Sequence, residues 1–304
     1  MEDTMIRSLK TATLTALAAT ALGTGLVGCD EDALDGFDPL ASSSQKAEVD
    51  TFTGTKEIEV GGKRVNVSCT GEFADGEPVI VLMHGGGDAL DKLAPLQKTL
   101  ATDHRVCSYD RLGAGKSAKP DGPQSFDSTG KVLTGLLDEI AGQNPVVLAG
   151  HSLGGLIAAR YAPAHQERVA GLVLMDATPA TMVADISKII PASEQGPAAQ
   201  VRAQNLAIFA GQNPEKLVIE DGPVKSAGDI PVEVIKHGQP YLAAVPQYGD
   251  KLEQAWTAGQ REWLELSDAA KLTVADKAGH YIYQDTPDIA VKTIKDVTAK
   301  ASGA

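Results

Sequence analysis

A serine set among glycines at a strand-to-helix junction constrains this chain more than any other feature. Gly150-His151-Ser152-Leu153-Gly154-Gly155 follows the apolar run Pro145-Val146-Val147-Leu148-Ala149, whose length and composition predict a short buried strand. It precedes Leu156-Ile157-Ala158-Ala159-Arg160-Tyr161, which reads as a helix. A serine forced into a tight, strained turn needs neighbours without a Cβ on both sides. Such a turn lifts the hydroxyl off the sheet, and the following helix aims its positive N-terminal end at it. Strand, Gly-x-Ser-x-Gly turn and helix together form a nucleophile elbow. This makes Ser152 the candidate nucleophile.

Two further segments stand in the order that such chemistry needs. Glu77-Pro78-Val79-Ile80-Val81-Leu82-Met83 reads as a strand and runs into His84-Gly85-Gly86-Gly87. Acyl transfer needs two backbone N–H groups aimed at the developing oxyanion. Leu153, the residue after the nucleophile, and Gly86 are the expected donors, with Gly87 second to Gly86. Near the other end, Lys271 to Ala275 reads as a strand, followed by Asp276-Lys277-Ala278-Gly279-His280 and a final helix from Pro287 to Lys300. Six histidines are present. His280 alone follows the last strand, where the order Ser…acid…His places the base. His84 belongs to the glycine segment, and His151 is expected to point away from the reaction. His104, His165 and His237 have no matching context.

These segments, with Tyr109-Asp110-Arg111-Leu112-Gly113-Ala114-Gly115-Lys116-Ser117, resemble the α/β-hydrolase superfamily over roughly residues 55 to 300. The last motif is similar to the family's turn after its fourth strand and is read as structural. The resemblance implies a mostly parallel eight-stranded sheet flanked by helices. It also implies a helical cap inserted after strand 6, at residues 178–229, within a hydrolase domain of residues 51–304. The alternation of strands and helical segments independently indicates an α/β class.

The acid departs from the commonest family pattern. After the expected seventh strand, Pro231 to Lys236, come His237-Gly238-Gln239-Pro240, with no carboxylate. Some members place the acid after strand 6 instead. That strand here is Val169 to Met175, and it ends at Asp176. The carboxyl edge of a parallel sheet is where such folds collect ligand-facing groups. Asp176 is therefore the expected acid, with Asp250 held in reserve. The expected chemistry is hydrolysis of a carboxylic ester through Ser152, His280 and Asp176. Amidase, peptidase or acyltransferase activity with the same triad stays open. So does a non-catalytic protein that uses the capped cavity to bind a small molecule.

The beginning of the chain has its own signal. Arg7 and Lys10 precede a small-residue apolar stretch, Thr11 to Gly28, which ends in Leu26-Val27-Gly28-Cys29. A basic start, an apolar middle and a small-residue cleavage site describe an export signal. The Leu-x-Gly-Cys ending resembles the bacterial lipoprotein lipobox. That implies a signal peptide at 1–28, lipidation of Cys29 and anchoring to a membrane of the bacterial cell envelope, on its periplasmic or extracellular face. A transmembrane anchor and a soluble secreted protein are the alternatives. Residues 29–50, with Asp30-Glu31-Asp32 and Ser42-Ser43-Ser44, read as an acidic tether.

Of three cysteines, lipidation of Cys29 leaves Cys69 and Cys107. The resemblance makes their strands neighbours and implies a disulfide between them, in keeping with an oxidising compartment. A net charge of −13 argues against nucleic-acid binding. No metal-spaced His/Cys cluster or phosphate loop is visible, so neither a metal nor another cofactor is expected. In the cap, Ile189, Ile190, Leu206, Ile208 and Phe209 are candidate pocket residues. Trp256 and Trp263, seven apart on a helix expected over Lys251 to Leu266, are read as core.

Overall fold

A computed structural model describes residues 52–74 and 76–303. The export signal, Cys29 and the whole tether lie outside the described residues. Among the described residues the strands form one eight-stranded sheet: β1 (Gly54–Val60), β2 (Lys63–Thr70), β3 (Val79–Met83), β4 (Val106–Tyr109), β5 (Val146–His151), β6 (Val169–Met175), β7 (Val232–His237) and β8 (Lys271–Ala275). Their spatial order is β1-β2-β4-β3-β5-β6-β7-β8. β2 is antiparallel to both β1 and β4, and the remaining pairs from β4 to β8 are parallel. The α/β architecture expected from the sequence is the one observed.

The unbroken apolar runs follow from burial on both faces of the sheet. Val79, Val81 and Met83 of β3 enter one core, with Leu148 of β5 and Leu172 and Leu174 of β6. Ile80 and Leu82 enter the other, with Val147, Ala149, Val173 and Met175. Helices α1 (Ala94–Leu100) and α8 (Pro287–Ala301) cover the second core through Leu96, Leu100, Ile294 and Val297. Helices α2 (Phe126–Ala141) and α3 (Leu153–Tyr161) cover the first through Leu133, Leu137, Leu156 and Ile157. Because β3 to β8 run parallel, their carboxyl ends lie along one edge, where chemistry-bearing residues from distant sequence positions meet.

Between β6 and β7 the chain forms α4 (Met182–Ile189) and α5 (Pro197–Phe209), then an irregular return segment. After β7 come α6 (Gly249–Glu262), a single 3₁₀ turn at Trp263–Leu266 and strand β8; a short α7 (Ile282–Asp285) precedes α8. The turn following β4 is organised by the buried Asp110 carboxylate. It accepts from Asn66 Nδ2 and from the backbone N–H groups of Leu90 and Lys116, each at 2.8 Å. A Cβ on Gly115 would fall 2.1 Å from that carboxylate, which explains the glycine.

Cys69 and Cys107 face each other in the β2–β4 register and are joined by a disulfide. The link closes a loop across 38 residues of sequence, for which a chain-entropy argument gives roughly 4 kcal/mol at most. Replacing both cysteines by alanine should lower the unfolding free energy by about 2–4 kcal/mol. Urea unfolding checks this; a midpoint unchanged between the variant and the unaltered protein would contradict it.

Candidate active site

Ser152 is the N-cap of α3 and adopts φ 50°, ψ −118°, a conformation an L-residue accepts only where its surroundings impose it. What imposes it is close packing around the elbow. A Cβ on Gly150 would lie 2.5 Å from the Gly154 carbonyl, one on Gly154 2.3 Å from the Met83 carbonyl oxygen, and one on Gly155 2.5 Å from Ala177 Cβ. The glycines thus let α3 press against the ends of β3 and β6. Backbone bonds stitch the elbow to the exit of β6: Ser152 N–H donates to Met175 O, and Thr178 N–H donates to Ser152 O, both at 3.1 Å. The Ser152 hydroxyl lies 3.4 Å from Thr178 Oγ1.

Asp176 is the first residue past β6, fully buried, and also at positive φ (46°). Its Oδ2 lies 2.7 Å from His280 Nδ1. Its Oδ1 accepts from Trp256 Nε1 at 3.0 Å, from His237 Nδ1 at 2.8 Å and from the His237 backbone N–H at 3.2 Å. Burial works against the charged carboxylate, but the donated hydrogen bonds and charges of His237 and His280 outweigh it and hold the group at about 2, below the ordinary 3.8. The carboxylate is therefore ionised through the neutral range.

The loop carrying His280 is fixed on three sides. Gly238 and Gln239 N–H groups donate to Ala278 O at 3.1 and 2.9 Å, and Gly279 N–H donates to Asp285 Oδ2 at 2.9 Å. From the elbow, His151 Nε2 bonds the His280 carbonyl oxygen at 2.9 Å. Burial, and then repulsion from His280, push the His151 imidazole down to about 3, so it is neutral and Nε2 carries its proton. His151 lies outside the cavity lining, and Tyr281 packs against it at 4.9 Å between ring centroids.

The glycine segment after β3 is held by Arg111. Its guanidinium donates to the carbonyl oxygens of His84 (2.6 Å) and Gly85 (2.9 Å) and makes a two-pronged, buried ion pair with Glu215 (2.7 and 2.8 Å). Both carbonyls are thereby turned toward Arg111. A Cβ on Gly86 would sit 3.4 Å from Leu153 Cδ2, in van der Waals contact with it.

Ser152, His280, Gly86 and Leu153 all open onto one cavity of about 770 Å³. The size suits a small organic molecule. Tyr241 and Trp256 form an aromatic wall around His280, with ring centroids 5.0 and 5.6 Å away. From the inserted segment, Met182, Ile208, Phe209 and Ile219 line the cavity. Ile208 and Phe209 thus lie where the sequence suggested, whereas Ile189, Ile190 and Leu206 pack on the core instead.

Asp250 is exposed in the first turn of α6. Three residues escaped the sequence reading. His237 was set aside for want of context, yet it ends β7 and touches Asp176. Glu253 was not considered; its Oε2 lies 2.8 Å from His237 Nε2. Trp256, expected to be core alone, is buried but also donates to Asp176 and lines the cavity. A signal for His237 was available: like His280, it stands at the carboxyl end of a parallel strand.

Residues 78–225 match the α/β hydrolase fold family. Together with that match, the sheet order and elbow described above show the α/β-hydrolase fold. The chain is 30% identical over 145 residues to 2-hydroxy-6-oxo-6-(2'-aminophenyl)hexa-2,4-dienoic acid hydrolase of Metapseudomonas resinovorans, covering 47% of each chain. It is 38% identical over 110 residues to proline iminopeptidase of Heyndrickxia coagulans, covering 34% of this chain and 36% of that one. The matched stretches span about half or less of those relatives' length. Among solved structures, the enol-lactonase of Burkholderia xenovorans shares the fold, with a TM-score of 0.57, 22% identity and coverage of 80% of this chain and 99% of that one.

The buried, neutral His151 sets an acid limit to stability. Below its ordinary 6.5 the unfolded chain takes up a proton that the folded chain refuses, so stability should fall as pH drops from about 6.5 toward 3. Thermal midpoints measured against pH should show this slope, and His151→Gln should reduce it, the remainder coming from His84, which burial also pushes down. A slope unaltered in that variant would contradict the assignment.

Proposed function

We propose that this protein is a serine hydrolase that cleaves carboxylic esters of small molecules through a Ser152–His280–Asp176 triad and an acyl-enzyme. The observation that carries this reading is the 2.7 Å contact of His280 Nδ1 with the buried Asp176 carboxylate, beside a strained serine that opens on the same cavity. In this reading Ser152 Oγ attacks the ester carbonyl carbon while its proton passes to His280 Nε2. Asp176 holds the ring by Nδ1 and stabilises the imidazolium that forms. The tetrahedral oxyanion accepts from the N–H groups of Leu153 and Gly86, each donor worth about 10²–10³ in rate. Collapse expels the alcohol, which takes the proton from His280. Water then repeats the sequence and releases the acid.

A second reading, cleavage of amide or peptide bonds by the same groups, draws on the likeness to an iminopeptidase. A purely binding role drew its support from the missing carboxylate after β7, and the reach of Asp176 to His280 takes that support away. For location, we propose export to the bacterial cell envelope with lipidation at Cys29 and anchoring to a membrane. The disulfide within the domain is in keeping with an oxidising compartment.

The purified protein should be labelled by a fluorophosphonate and should hydrolyse p-nitrophenyl esters, with both activities lost in Ser152→Ala. Asp176→Asn should lower kcat by about 10³–10⁴, and Asp250→Asn should leave it within about twofold. Loss of turnover in the Asp250 variant but not in the Asp176 variant would overturn the acid assignment. Faster turnover of matched amides than of esters would favour the second reading. Cells given radiolabelled palmitate should incorporate it into this protein in the membrane fraction, and Cys29→Ser should abolish that.

A further inference from the structure

We propose that His237 is a positioning residue of this site, a buried imidazolium clamped between Asp176 and Glu253 that fixes the Asp176 carboxylate and lets two carboxylates share one end of the sheet. Its consequence for rate rests on the triad proposed above; its protonation does not. The argument is one of counting donors. His237 Nδ1 lies 2.8 Å from Asp176 Oδ1, and Nε2 lies 2.8 Å from Glu253 Oε2. An ionised carboxylate only accepts, and a neutral imidazole has one proton to give. A neutral ring would therefore point a nitrogen lone pair at a carboxylate oxygen, in a place where the side chains of His237 and Asp176 are 1% and 0% exposed. Both contacts become hydrogen bonds when both nitrogens carry protons.

The surroundings agree. The second Glu253 oxygen, Oε1, accepts the Leu242 N–H at 2.6 Å. The groups facing His237 are Asp176 from the end of β6, Glu253 and Trp256 from α6, and the Tyr241 ring at 4.9 Å. Lys236 Nζ donates to the His237 carbonyl oxygen at 2.8 Å. Burial alone would lower the His237 imidazole, but the hydrogen bonds and charges of Asp176 and then Glu253 reverse this and raise it above 6.5.

The charges then balance in a useful way. Asp176, His237 and Glu253 together carry one net negative charge. When His280 takes the serine proton, the four groups sum to zero. Removing the His237 charge leaves the cluster more negative at every stage, whereas removing the Glu253 charge leaves it more positive. The two changes should act on the pH dependence in opposite directions, which a merely structural pair would not do. The clamp also holds Asp176 Oδ1, so that Oδ2 keeps its line to His280. Misplacement of a catalytic group by about 1 Å can cost about a hundredfold.

The test uses the purified full-length protein with ¹⁵N-labelled histidine. Nitrogen NMR over about pH 6 to 7, where a free imidazole passes from mostly protonated to mostly neutral, should show both His237 ring nitrogens protonated, the signals being assigned by their loss in His237→Gln. An unprotonated nitrogen in that range overturns the proposal, whether or not any variant folds. In p-nitrophenyl ester assays, His237→Gln should lower kcat by about 10- to 100-fold with KM nearly unchanged, and should move the acid limb of kcat/KM to higher pH. Glu253→Gln should move that limb to lower pH. Limbs that shift together, or not at all, in folded variants overturn the charge role. If the unaltered protein shows no fluorophosphonate labelling, the triad reading fails, and the NMR result alone decides the state of His237.

Discussion

One carboxylate organises this end of the sheet. Asp176 is buried, sits at positive φ and accepts from two imidazoles, an indole and a backbone amide. Burying an ionised group costs several kcal/mol unless its oxygens are satisfied, and here both are. The donors come from the end of β7, from α6 and from the loop after β8. Their joint approach to a single side chain fixes how these elements meet. Withdrawing any one of them takes a donor from a buried carboxylate, so Asp176 acts as a fastening for the fold as well as a participant in the proposed chemistry.

A second ion pair does the same for the opposite wall. Arg111 follows β4, Glu215 lies in the return segment after α5, and between them they hold the carbonyls of His84 and Gly85. The buried pair is weak evidence of stability by itself, since desolvation offsets much of its attraction. Its value is geometric: it ties the glycine segment to the inserted helices. Any motion that lifts the return segment away would strand the Arg111 charge and loosen the backbone proposed to hold the oxyanion. The wall near Glu215 is therefore the rigid part of the cavity. Ile208, in the last turn of α5, lines the same cavity and is 45% exposed.

Much of this was legible before any coordinates. The run Val169 to Met175 marked β6 to the residue, because buried parallel strands read as unbroken apolar stretches, whereas Lys271 to Ala275 marked β8 although it is a largely exposed strand at the sheet edge. Asp176 followed from the end of β6, and the Cys69–Cys107 pairing from the family's strand order. The features that escaped depend on contacts between distant elements. Glu253 and Trp256 lie three apart on α6, which puts them on one face, but no local rule tells which partner that face meets. Ile208 and Phe209 reach the cavity while Leu206 does not, because apolar residues are spread around α5 and only its packing selects a side. His237 was different. The family pattern calls for a carboxylate at that position, but a cation beside a displaced acid satisfies the same space.

The histidine at the end of β7 also bears on the history of such a site. Moving an acid from the end of β7 to the end of β6 would pass through a chain that holds two carboxylates side by side, with Glu253 behind them. Here the return route is equally narrow. An aspartate at position 237 would bring three negative groups together with no cation to separate them. Its neighbours thus hold the proposed acid at the end of β6, and related chains that carry this arrangement are expected to keep or lose these residues as a set.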